Sequence, residues 1–322
     1  MLGQELLSLE MVPAHWLGHN PAPLDQEGSS HMEIGLQIPH TGAPATPEFI
    51  REWCTVADQA GFGSLWGVDH LVMPQHTDSL YTLARRPAPI GEDAVSSLLA
   101  PNFELMTTLA YVAAVTDRIK IGTSVAVLSI RNAILNARQL ATVDRYSGGR
   151  LLYGVGVGWL KEEADAMNMP WDRRGARAEE HIALLRTLWT QPGPHVEFHG
   201  EFWDVPPMDP EPRPVQRPIP ILIGGHSEVA IDRAARIGDG WIAASMSPER
   251  LAEHMGLLRA AAARHDREPA TMFVHCSMSR GTPATLDQLQ RYADLGIQSL
   301  SLDIDSIDDL TRFADKVLPK LG

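Results

Sequence analysis

Between Met32 and the C-terminus, short runs rich in β-branched residues alternate eight times with longer stretches of helical spacing, and that repeat leaves few folds open. Alternation of this kind builds a parallel sheet with helices covering its faces. The predicted strands are 33–38, 64–68, 120–127, 151–157, 219–223, 240–243, 272–278 and 298–303. The helices that follow them are predicted over 47–60, 103–116, 132–146, 175–190, 228–237, 248–262, 285–295 and 308–318. Within the fourth helix, Ile182, Leu185 and Trp189 recur at helical spacing, and Gly148-Gly149 closes the third as a C-terminal cap. Residues 196–205 read as a hairpin.

Eight units point to an α/β fold of the (β/α)₈ TIM-barrel type. The long connections 71–101 and 158–174 are insertions after strands two and four; with 195–218 they are expected to roof the pocket. A chain of 322 residues could hold two average domains or one barrel, since barrels of roughly 250 residues plus insertions are ordinary. The competing doubly wound sheet would want a G-x-G-x-x-G turn after its first strand. Here the first strand runs into Ile38-Pro39-His40, and the run Gly154-Val155-Gly156-Val157-Gly158 puts Trp159 where the third glycine belongs. The barrel reading stands.

Residues 1–31 have no charged start followed by an apolar core, so they do not read as a secretory signal. The junction Gly28-Ser29-Ser30-His31-Met32 resembles a cloning remnant, with a native, poorly ordered extension as the alternative. Residues 32–322 are read as one domain. A hydrophobic fraction of 44% is enough to fill one large core, while a net charge of −13 with no basic stripe argues against nucleic acid as a partner. No apolar run approaches the roughly 18 to 20 residues that cross a bilayer. Cys54 and Cys276 make no disulfide framework, which fits a reducing cytoplasm.

Barrel active sites are built from the loops after the strands, which narrows the search to a few segments. Asp69-His70 follows strand two. A histidine there can exchange a proton near neutral pH, or it can simply hydrogen-bond a neighbouring loop. Asp69 suits an orienting or capping role and is grouped with the binding residues. Strand three, through Ser124-Val125-Ala126, reads from pattern alone as a plain buried strand. Gly154, Gly156 and Gly158 alternate along strand four, where glycine weakens a strand unless something approaches its backbone closely; this favours a planar ligand over packing alone. Gly224-Gly225-His226-Ser227 opens a helix after strand five, an arrangement that suits a phosphate, although Ser227 also serves as an N-cap. No zinc-type ligand set is found, because the His195/His199 spacing lies at the predicted hairpin, where it does not bring both rings onto one helical face.

Several longer runs carry a family likeness. They are Gly61-Phe62-Gly63-Ser64-Leu65-Trp66-Gly67-Val68-Asp69-His70, residues 119–127, residues 141–150 (ATVDRYSGGR), residues 154–159, Arg174-Gly175-Ala176-Arg177, Ile223-Gly224-Gly225, and residues 234–241 (AARIGDGW). From Glu33 to Leu318 the chain resembles the bacterial luciferase-like monooxygenase superfamily, and within it the branch that uses the deazaflavin coenzyme F420. The resemblance implies a non-proline cis peptide at Ser124–Val125 that bulges against the ring. It implies that Gly156, Val157, Gly158 and Trp159 line the ring and that Gly224, Gly225, His226 and Ser227 hold the phosphate of the tail. His70 would stand beside the reactive carbon as the proton-transfer group.

The chain also departs from that pattern. The sugar-phosphate dehydrogenase of the branch has a tryptophan four residues after its histidine, where Pro74 stands here, and a catalytic glutamate where Trp159 stands. Glucose 6-phosphate is therefore not a supported substrate. Trp159 and Trp66 suggest an apolar or planar one, unless they belong to the core. The resemblance implies a hydride-transferring oxidoreductase acting on a small molecule, with FMN and a two-component monooxygenase fed by a reductase partner as the alternative. A non-catalytic flavin-binding protein is the third reading. Family members are often dimers, so a homodimer is expected.

Overall fold

The computed structural model describes residues 32–74, 77–79, 101–279 and 281–321. The expected extension 1–31 and most of the connection 71–101 lie outside the described residues. In chain order the strands are β1 (Glu33–Gln37), β2 (Ser64–Gly67), β3 (Lys120–Thr123), β4 (Ala126–Val127), β5 (Leu151–Gly156), β6 (Val196–His199), β7 (Asp204–Met208), β8 (Ile221–Gly224), β9 (Gly240–Ala243), β10 (Phe273–Ser277) and β11 (Ser299–Leu302). β6 and β7 form the predicted hairpin as a separate antiparallel pair. The others are all parallel, and a β3–β5 pairing closes them into an eight-stranded barrel in which β4 continues β3.

The helices are α1 (Pro47–Gln59), α2 (Leu105–Val115), α3 (Ala133–Ser147), α4 (Lys161–Ala166), α5 (Arg174–Thr190), α6 (Glu228–Ile237), α7 (Pro248–Arg264), α8 (Leu286–Ala293) and α9 (Ile307–Lys316). All eight predicted strand–helix units are present. α4 is an addition, since six residues carry no full apolar period to read. Local chemistry sets the helix ends. Thr46 accepts the Phe49 N–H at 3.1 Å ahead of Pro47, and Asn132 accepts from Ile134 and Leu135. Gly148, with φ 68°, ends α3 in the left-handed conformation that a side chain would oppose.

The strand predicted over 120–127 is broken at Ser124–Val125, the non-proline cis peptide that the family resemblance implies, which falls between β3 and β4. Each of the alternating glycines, Gly154, Gly156 and Gly158, has protein atoms where a Cβ would stand. A Cβ on Gly154 would lie 1.9 Å from the Thr123 carbonyl oxygen and 2.2 Å from Ile242. One on Gly156 would lie 2.7 Å from Val125, and one on Gly158 would lie 2.8 Å from both Ser129 and Val127.

The barrel floor is filled by large side chains facing small ones. Trp66 is fully buried and stacks on His275 with ring centroids 3.8 Å apart. Its six-membered ring occupies the space over Gly122, where a Cβ would lie 2.6 Å away. Leu152, Leu222, Ile242 and Phe273 pack around it. Trp66 is therefore core and not a substrate platform. Among the described residues no helix is long and apolar enough to cross a membrane, and both cysteines are buried free thiols.

Candidate active site

β2 ends at Gly67, and the chain then delivers Asp69 and His70 to opposite tasks. Asp69 is buried, with both oxygens spent on protein. Oδ1 accepts from Arg131 Nη2 at 2.7 Å, and Oδ2 accepts from Arg131 Nε at 2.9 Å and from the Val127 N–H at 2.8 Å. Burial works against the Arg131 charge, but the paired Asp69 carboxylate outweighs it and holds the guanidinium above its ordinary value. This bidentate clamp ties the end of β2 to β4 and the turn behind it.

His70 stays at the rim, with its side chain 16% exposed. Its Nδ1 lies 2.9 Å from Glu163 Oε2, and its backbone carbonyl accepts from Asn102 Nδ2 at 2.5 Å. Glu163, in the first turn of α4, is 1% exposed and also accepts the N–H groups of Leu71 and Val72 at 2.5 and 3.0 Å. Next to it, Glu162 accepts from Asp78 N and Ser79 N at 2.7 and 3.1 Å and from Ser79 Oγ at 2.6 Å. Desolvation opposes its charge, yet these hydrogen bonds bring the Glu162 carboxyl down to about 2. The Trp159 indole stands edge-on to His70 with centroids 5.8 Å apart.

Val125, after the cis bond, joins three strand ends. Its methyl groups occupy the space where Cβ atoms on Gly156 and Gly224 would lie, at 2.7 and 2.6 Å. Ala126 is fully buried and pairs with Val155, and Val127 pairs with Gly156. Val157 is half-buried against the main core. After β8, Gly225 has φ 128°, a conformation that favours glycine, and its carbonyl accepts from Trp241 Nε1 at 2.9 Å. Ser227 caps α6 by accepting the Ala230 N–H at 3.2 Å. His226 is pushed down to about 4 by burial, then by Arg250 and His254, so near neutral pH it carries no charge to offer an anion.

A cleft next to Gly158 adds side chains to which sequence reading gave no role. Ser129, Arg131, Met169, Arg174, Arg177 and Trp203 are among its lining, which contains no carboxylate. Ser129 Oγ and Arg174 Nε are buried there without a hydrogen-bond partner. The Arg174 guanidinium lies 4.1 Å from the Trp171 ring centroid, and that of Arg177 lies 4.7 Å from that of Phe202. Buried polar atoms are normally satisfied. Two orphaned donors beside cations, adjoining the end of β5, fit a ligand with an anionic arm. Among the described residues no group of three or more His, Cys, Asp or Glu side chains could hold a metal ion.

The structure thus brings His70, Val125, Trp159 and Gly225 to one end of the barrel and turns Asp69 into its wall. Glu163 was missed because its partner is 93 residues away in sequence. The signal available was a Glu162-Glu163 pair directly after the fourth strand. For Ser129 and Arg174, only the Arg174-Gly175-Ala176-Arg177 motif was visible.

A family profile described as luciferase-like monooxygenase matches residues 31–301. An uncharacterised protein of Mycobacterium tuberculosis is 36% identical over 197 residues, 61% of this chain and 65% of its own length, so the match spans just under two thirds of that relative. An F420-dependent glucose-6-phosphate dehydrogenase of Amycolatopsis mediterranei is 31% identical over 62% of this chain and 54% of its own. An FMNH(2)-dependent dimethylsulfone monooxygenase of Pseudomonas putida is 40% identical over 40% of this chain and 36% of its own. Among solved structures, the coenzyme F420-dependent tetrahydromethanopterin reductase of Methanopyrus kandleri shares the fold with a TM-score of 0.69, 16% identity, and coverage of 91% of this chain and 100% of that one. Taken with the closed barrel and the residues gathered at its rim, the profile match places the chain in the luciferase-like monooxygenase family.

Proposed function

We propose that the protein is an oxidoreductase transferring a hydride between a deazaflavin of the F420 type and a small organic substrate. The observation that carries this reading is that His70, Val125 and Gly225 follow the same ends of parallel barrel strands, His70 against Trp159 and Val125 against Gly156 and Gly224, with the unpartnered Ser129 Oγ and Arg174 Nε in the cleft beside Gly158. The bound ring would supply the hydride chemistry, and the protein supplies position and proton handling. Val125, Gly156, Val157, Gly158 and Trp159 would line the ring. Gly224, Gly225 and Ser227 would receive the phosphate through backbone, with Arg250 the cation that acts on His226 beside them. His226 would contribute shape more than charge.

His70 would take or return the proton that accompanies hydride transfer. Trp159 leaves no carboxylate at its position, which supports a substrate other than glucose 6-phosphate and favours an apolar or planar one. Of the two named cofactor-dependent relatives, the F420-dependent one aligns over the longer stretch of this chain, which supports the deazaflavin over FMN. The FMN reading, with a separate reductase as partner, draws on the 40% identity to the dimethylsulfone enzyme. A cytoplasmic homodimer accompanies either reading.

Titration of the purified protein with oxidised and reduced F420 and FMN, followed by a substrate library, tests the proposal. Selective binding of F420 with a substrate-dependent absorbance change is expected. Oxygen uptake with reduced FMN would move the assignment to the monooxygenase, and binding without turnover would move it to a flavin-binding protein.

A further inference from the structure

We infer that Glu163 is a positioning residue that fixes the tautomer of His70, placing the ring proton on Nδ1 and leaving Nε2 as the atom that exchanges a proton with substrate. The functional part of this inference rests on the reading of His70 as the proton-transfer group; the tautomer does not.

An ionised carboxylate only accepts hydrogen bonds. Glu163 Oε1 is already taken by the N–H groups of Leu71 and Val72, and Oε2 faces His70 Nδ1 at 2.9 Å. Nδ1 must therefore be the donor, because a bare Nδ1 would set one lone pair against another. In a neutral imidazole the second nitrogen is then unprotonated, and Nε2 has no hydrogen-bond partner among the described residues. The choice of tautomer is made by what the other ring nitrogen meets.

Glu163 cannot easily turn away. It is 1% exposed, and three donors from consecutive residues, 70 to 72, converge on it. The far side of the same backbone is held by Asn102, which donates to the His70 carbonyl. The contrast with His275 is direct. There Nδ1 meets the Ser299 hydroxyl at 2.9 Å, a group able to donate or accept, so the surroundings leave either tautomer open.

The step assigned to Nε2 is a proton transfer. A substrate O–H or N–H bond breaks, its electron pair stays on the heteroatom, and the proton forms a new bond to the Nε2 lone pair. Running in reverse, His70 protonated on both nitrogens returns the proton from Nε2. A ring held in the opposite tautomer could donate but not accept at that atom.

The test is nitrogen NMR of histidine-labelled protein, with the His70 signals identified by their loss in His70→Ala. In the unaltered protein at a pH where His70 is neutral, the protonated nitrogen should be Nδ1. Glu163→Gln should invert this. The amide oxygen would accept from Leu71 and Val72, and its NH₂ group would donate to Nδ1 and drive the ring proton to Nε2. Glu162→Gln should leave the tautomer as it was, because Glu162 serves residues 78 and 79 instead. A ring proton on Nε2 in the unaltered protein, or an unchanged tautomer in Glu163→Gln, overturns the inference. The first of these needs no Glu163 variant. Turnover is read separately: kcat in Glu163→Gln should fall roughly 100-fold or more, with cofactor affinity little changed. Inversion with undiminished turnover would uphold the tautomer assignment and remove the proton role from His70.

Discussion

His275 in the barrel floor and His70 at its rim both sit among polar groups, but those groups are arranged to opposite ends. In the floor, Trp66 Nε1 donates to Ser64 Oγ, Ser64 meets Ser299, Ser299 meets His275, and Ser301 lies 3.5 Å beyond. Each polar atom of this chain has a protein partner, and the stacked indole seals it. At the rim, Glu163 fixes one nitrogen of His70 and leaves the other, while Ser129 Oγ and Arg174 Nε have no partner. A buried polar group that is satisfied within the protein stabilises the fold. At the rim the open groups stand together beside the end of β5, which leaves them available to a ligand. Sequence position alone did not separate the two, since both histidines lie on or just after barrel strands.

The largest effect should come from the floor. Trp66→Ala removes a fully buried indole together with the surface on which His275 stacks, and it should cost about 3–5 kcal/mol of stability in urea unfolding. A loss under 1 kcal/mol would mean that the floor is loosely packed and no more rigid than the rim. His70→Ala should do the reverse, leaving stability and cofactor affinity near their starting values while kcat drops by roughly 100-fold or more. Equal turnover in that variant would return His70 to a structural role.

Acid should find the floor before the rim. Burial pushes His275 down to about 3 from an ordinary 6.5, so the native state binds fewer protons than the unfolded one between those values. Stability is full above about 6.5 and falls as pH drops through this window, by up to roughly 1.4 kcal/mol per pH unit, or about 2 kcal/mol at pH 5. His181, buried and likewise held near 3, acts in the same sense. Flat stability between pH 7.5 and 5 would show that the floor admits protons freely. The smallest effect is expected at the cleft: Arg174→Ala should weaken F420 binding roughly tenfold, as loss of one charge-assisted hydrogen bond would. Unchanged affinity would detach the cleft from the cofactor.

The barrel was legible because its signal is repeated and local. Each unit carries its own apolar run and its own stop, such as Gly148, and eight in series outweigh an error in any one. The loops were legible only as positions. His70 could be placed after a strand, but whether it had a partner depended on Glu163, brought across by folding. The glycines of β5 show the limit from the other side. Close approach to their backbone was read from the pattern, but that Thr123, Val125 and Ser129 are among the approaching groups was not. Period and composition say that space is needed without saying what fills it. The same holds for Asp69, whose pairing with Arg131 links residues 62 apart in the chain.

A crystal structure of the protein with F420 bound would test the central claim most directly, namely that the polar groups left open at the rim form the binding site. The ring is expected against Val125 within reach of His70 Nε2, with an anionic arm on Arg174, Ser129 or the backbone at Gly225. A cofactor bound elsewhere on the barrel, with the Ser129 and Arg174 cleft and the second nitrogen of His70 untouched, would contradict it.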